Sequence, residues 1–185
     1  MLAKTLTTVL AIVPTAVLGS DPTSTTPSDA TKTLTLSGVT HSIVAGLGAA
    51  RFDPDNVVAE IGDVVEWHFL PMNHSVVQSS FGKPCAPRDE NAFFSGFFKV
   101  DQGQSENVFQ IVVKDKNPLW YYCAQAAGSH CQNGMVGVIN QDYNSLDFTL
   151  ARHKLLAQNT CVSVAPAKVQ GGEVIKNPSP LSGYK

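Results

Sequence analysis

From residue 40 to residue 139 the hydrophobic positions fall in short runs of three to six residues, cut apart by Gly, Pro, Asn and Asp. The runs are Thr40 to Val44, Val57 to Ile61, Val64 to Phe69, Ser75 to Gln78, Val108 to Val113, Trp120 to Tyr122 and Val136 to Ile139. They are dominated by β-branched and aromatic residues, and turn-forming pairs such as Gly62-Asp63 separate them. Many short strands with no helical period between them predict an all-β sandwich or barrel over residues 34–140. Within Val64 to Phe69 the alternation turns Trp67 and Phe69 inward and leaves His68 on the surface.

Outside that span the pattern changes. Residues 20–33 are rich in Ser, Thr and Pro with no apolar period, which predicts a disordered leader suited to O-glycosylation. Past Asn140, Leu146, Leu150, Leu155 and Leu156 suit a short helix within residues 141–161, capped by Ser145 or Asn144. Residues 162–185, punctuated by Pro, Gly and Lys, predict a flexible tail.

Residues 1–19 combine an early Lys4, an apolar core and small residues before Ser20, the layout of a signal peptide cleaved after Gly19. That apolar run is too short and too interrupted to span a membrane. A secreted, oxidising setting follows, and about 165 mature residues suit one domain with flexible ends. The C-terminal sequence lacks the apolar tail of a glycolipid anchor signal. A net charge of −2 gives no electrostatic case for nucleic acid or an anionic membrane, and a monomer is expected.

The chemistry concentrates where Leu119-Trp120-Tyr121-Tyr122 runs into Cys123, followed by His130, Cys131 and Met135. A thiolate, two imidazoles and a weak axial thioether suit both oxidation states of copper, so an arriving electron changes little geometry. One loop between two strands can supply Cys123, His130 and Met135; the second imidazole must come from elsewhere. His74 fits best, because Leu70 to Asn73 closes a strand-turn unit just before it. His41 opens the first strand, His68 lies inside an alternating run and His153 falls on the expected helix.

Each assignment has a plainer rival. Four cysteines in a secreted chain can make two disulfides, and a Cys123 to Cys161 bridge would abolish the site. Met135 can be an ordinary core residue. Asn73-His74-Ser75 is also a glycosylation sequon; a packed metal ligand beside it favours an unmodified Asn73 that hydrogen-bonds across to the metal loop. Zinc suits the set less well, since structural zinc sites take four strong ligands and no thioether.

Taken with Asn73-His74-Ser75-Val76, Trp120-Tyr121-Tyr122-Cys123 and His130 to Met135, the segments Phe52 to Val57, Gly62 to Trp67 and Gln78 to Cys85 complete a recognisable pattern. Over residues 41–140 the chain resembles the cupredoxin family, in particular secreted fungal cupredoxin-like (extracellular serine-rich) proteins and plant phytocyanins. The resemblance implies a cupredoxin-like Greek-key β-sandwich with a short C-terminal helix. It implies copper held by His74, Cys123 and His130 with Met135 axial, and a disulfide from Cys85 to Cys131 beside the metal loop. Cys161 is then the odd cysteine, free or bridging two chains. Six residues between Cys123 and His130 make a longer loop than phytocyanins have, and the Ser-rich, anchor-bearing tail is missing.

Three classes of function follow from these residues. The first is an extracellular electron carrier or copper-sequestering protein, meeting a redox protein or a cell-wall component. The second is a copper enzyme, which is not expected: the five histidines form no His-x-His pair, and cleavage after Gly19 leaves Ser20 rather than His first. The third is a non-redox surface or interaction module that keeps the sandwich and makes the metal optional.

Overall fold

The computed structural model describes residues 38–183; the expected signal peptide and leader lie outside the described residues. The strands are β1 (Thr40–Ala45), β2 (Phe52–Asp53), β3 (Asn56–Val57), β4 (Val64–Phe69), β5 (Met72–His74), β6 (Val77–Ser79), β7 (Phe98–Val100), β8 (Asn107–Val112), β9 (Leu119–Tyr122) and β10 (Val136–Ile139). The helix α1 (Leu150–Gln158) and the last strand β11 (Glu173–Lys176) follow. They assemble into a five-stranded sheet ordered β11-β8-β4-β1-β2, a four-stranded sheet ordered β3-β10-β9-β6, and a β5-β7 pair. The fold is a cupredoxin-like β-sandwich with one short helix.

The core between the two larger sheets takes Ile43, Val65, Trp67, Phe69, Phe109 and Ile111 from the first and Tyr121 and Ile139 from the second. Trp67 meets the edge of Tyr121 at a ring separation of 5.3 Å, so the alternation of β4 points its large rings as expected. β9 and β10 are buried on both faces, because Trp120, Tyr122, Val136 and Val138 pack outward against Leu150 and Ala157 of α1. Double burial explains why their sequences read as continuous apolar runs rather than alternating ones.

Several local expectations are corrected. His68 is buried rather than exposed: its Nε2 lies 2.7 Å from Glu66 Oε1, and Asn177 Nδ2 approaches its Nδ1 at 3.3 Å. The returning C-terminal segment is the reason. Expected to be flexible, it pairs β11 with β8, Glu173 opposite Gln110, and it is held beyond that by Gln104, which bonds both the N–H and the C=O of Leu181. The run Val57 to Ile61 is strand only to Val57; Glu60 to Asp63 instead form a turn in which Asp63 Oδ2 accepts the Glu60 N–H at 2.9 Å. The N-cap of α1 is Thr149, whose Oγ1 accepts from the Arg152 N–H at 3.2 Å, while Ser145 closes the preceding turn through Phe148 N–H. Among the described residues no helix is long and apolar enough to cross a membrane.

His153 docks α1 onto the second sheet. Fully buried against Trp120 and Phe81, it donates from Nδ1 to the Phe81 carbonyl at 3.0 Å. Burial pushes its pKa down to about 4 from an ordinary 6.5, against the opposing pull of that carbonyl. Between those values the unfolded chain binds a proton that the folded chain refuses, so stability is lost as the pH falls through this window. The expected loss approaches about 3 kcal/mol by pH 4. Urea unfolding from pH 7 to pH 4 should show it, and His153→Phe should flatten that part of the slope; an unchanged slope in the variant would contradict the account.

Candidate metal centre

β9 and β10 place the loop that the sequence singled out. Their antiparallel register sets Tyr122 opposite Val136, so the next pair out is Cys123 and Met135, joined by Cys123 N–H donating to Met135 O at 3.0 Å. The intervening chain turns through Gly128, Ser129 and Gly134, all at positive φ, and closes with His130 N–H on Gln125 O and Met135 N–H on His130 O. His74 arrives from the end of β5, paired with Phe98 of β7.

These elements bring three donors together. His74, Cys123 and His130 offer ligand atoms that lie within 4.8 Å of one another, and Cys123 Sγ stands 3.5 Å from His130 Nδ1. Donors roughly 2 Å from a shared ion stand roughly 3–4 Å apart, so the Cys123 to His130 separation is that of two groups able to hold one ion, with His74 close by. His74 and Cys123 are wholly buried and His130 is 2% exposed. Met135 is also buried, in the same core cluster as Cys123.

The hydrogen bonds say which imidazole nitrogen is free. His74 Nε2 faces the Pro71 carbonyl at 3.3 Å, and a proton donated there leaves the Nδ1 lone pair unprotonated. His74 Nδ1 is buried with no hydrogen-bond partner. A buried lone pair with nothing to accept from is costly in a protein interior unless a cation satisfies it. Burial first, and the neighbouring His130 second, push the His74 pKa down to about 4, and burial lowers that of His130. Both rings are therefore neutral, the form that binds metal.

Burial pushes the Cys123 thiol up, while backbone N–H groups of Gln125 and Ser75 and the Ser75 hydroxyl pull it back. Without a cation the sulfur is a thiol; a metal ion binding there displaces the proton. The residues thus fit a soft, low-coordinate ion.

Cys85 and Cys131 form a disulfide, which ties the segment after β6 to the residue next to His130. Cys123 is free and buried, Cys161 free and exposed, so no Cys123 to Cys161 bridge competes for the thiolate. Met72 is 52% exposed at φ 104. The Asn73 Oδ1, expected to bond across to this loop, is buried without a partner, and among the described residues no hydrogen bond joins it to the loop between β9 and β10.

Ser75 makes that connection instead. Its N–H points at Cys123 Sγ at 3.4 Å, and its Oγ accepts the Ala124 N–H at 3.0 Å. Gly46 is a second residue that sequence reasoning missed. At φ +98 it lies so close to His74 that a Cβ there would sit 2.3 Å from Nε2. Only its position one residue past β1, opposite His74 of another strand, gives it meaning.

No protein-family model matches the chain. An extracellular serine-rich protein of Arthroderma benhamiae is 33% identical over 146 residues, which are 75% of this chain and 54% of that relative. The chain therefore spans about half that relative's length. A protein of the same fungus named probable GPI-anchored cupredoxin-1 is 30% identical over 145 residues, covering 76% of this chain and 73% of the relative. Among solved structures, a purple cupredoxin from Nitrosopumilus maritimus matches 53% of this chain and 95% of its own at 19% identity and a TM-score of 0.37. On the strength of the similarity to the second relative, the chain belongs to the cupredoxin family.

Proposed function

We propose that this is a secreted blue-copper protein whose His74, Cys123 and His130 would hold one copper ion, with Met135 as a weaker fourth donor, and that it carries single electrons or sequesters copper outside the cell. The observation that carries the reading is the meeting of three buried donors around the unpartnered His74 Nδ1. Copper bound there supplies a one-electron couple. Everything else is done by the chain. β9 and β10 hold Cys123 and Met135 in register, the Pro71 carbonyl fixes the His74 tautomer, and Ser75 directs an N–H at the sulfur. Neutral imidazoles and a preformed cluster keep the reorganisation on electron arrival small.

Burial of all three donors supports a carrier or store rather than a catalyst, since a reacting substrate needs an open coordination position. Stopped-flow mixing of the copper(II)-loaded protein with hexaammineruthenium(II) distinguishes the readings. A carrier should bleach its visible band with one equivalent of reductant. A band that persists leaves sequestration, and a chain that takes up no copper is the non-redox module on a cupredoxin sandwich.

A further inference from the structure

The end of the sandwich farthest from the metal cluster carries a groove that copper chemistry does not use. Cys123 and Met135 stand at one end of the β9-β10 pair; Leu119 and Asn140 stand at the other. There, three hollows of ≈ 330, ≈ 380 and ≈ 280 Å³ all share Asn117. The first also shares Asn140 with the second, and Gln78 and Arg88 with the third, so the three adjoin as one continuous groove. Each is near the lower end of the volume range of small-ligand sites, and their continuity suits a chain of such units rather than one compact molecule.

One donor in this groove is already desolvated. Asn140, at φ 59 and 8% exposed, accepts the Ala59 N–H through Oδ1 at 2.8 Å, yet its Nδ2 is buried with no partner. A buried donor without an acceptor is costly, and a ligand acceptor would relieve that cost. The remaining lining decides the ligand's chemistry. An anion asks for donors and a cation for acceptors, whereas a hydroxyl both donates and accepts, as do the side-chain amides of Gln78, Asn117 and Asn140. Charges of both signs line the groove, Arg88 and Lys114 against Asp115 and Asp142, which disfavours a strongly charged ligand. Tyr143, 65% exposed at one end, offers a ring face to apolar C–H surfaces.

We propose that this groove binds a neutral linear oligosaccharide, leaving the copper end of the molecule free. The test is a titration of the ¹⁵N-labelled full chain with cellohexaose, laminarihexaose and chitohexaose, and with tetragalacturonate as the anionic comparison. At least one neutral hexamer should produce saturable shifts centred on residues 114–118 and 139–143 together with Gln78 and Arg88, and absent from the loop between β9 and β10. Asn117→Ala and Tyr143→Ala, both at exposed positions, should each weaken that binding at least tenfold while the rest of the spectrum stays in place. Cys123→Ser should leave it unchanged. Saturable binding of tetragalacturonate alone, no binding of any neutral hexamer, or full-strength binding by both groove variants would overturn the proposal.

Discussion

Replacing Cys85 and Cys131 together by alanine should lower the unfolding free energy by about 4 kcal/mol, read from urea or thermal unfolding. The figure follows from a bridge that closes a sequence separation of 46 residues, a long loop whose freedom returns to the unfolded chain when the bond is removed. A second effect is local. Cys131 follows His130 directly, and Cys85 is anchored independently by its carbonyl, which accepts the Val164 N–H at 2.9 Å. Without the bridge the His130 end of the loop is held mainly by turn hydrogen bonds, so copper affinity should fall at least tenfold. Unchanged stability of the double variant would contradict the first effect, and unchanged copper affinity would show that the loop is positioned by its neighbours alone.

Gly46→Ala should damage the centre while sparing the sandwich. At φ +98 a side chain is strained by about 1–3 kcal/mol, and its Cβ would lie 2.3 Å from His74 Nε2. The ring must move, taking with it the hydrogen bond to Pro71 that fixes its tautomer. Loss of a group that orients a ligand typically weakens metal binding 10- to 100-fold, and that is the expected drop in a chelator competition assay. Unchanged affinity in a folded variant would mean that His74 does not hold the ion.

What could be read from the chain follows from how local each feature is. The bounds of β4 and β10 coincide with their hydrophobic runs, because flanking turn residues interrupt the pattern at both ends. β5, β7 and β11 were not legible: three or four residues are too few to establish a period, and they become strands because a partner edge is waiting, as β8 waits for Glu173 to Lys176. His68 was misread for the same reason, since what buries it includes a segment 109 residues away. In the candidate centre, Cys123, His130 and Met135 share one loop and announce themselves together. Ser75 and Gly46 do not, because a backbone N–H aimed at a sulfur 48 residues on, or a missing Cβ beside a ring from another strand, leaves no trace in residue type.

Whether Cys123 is a copper thiolate is decided by absorption spectroscopy of the copper(II)-loaded protein. The expected result is one copper per chain and an intense visible sulfur-to-copper charge-transfer band, absent in a folded Cys123→Ser variant. A colourless copper(II) adduct, or a band that survives Cys123→Ser, would contradict it.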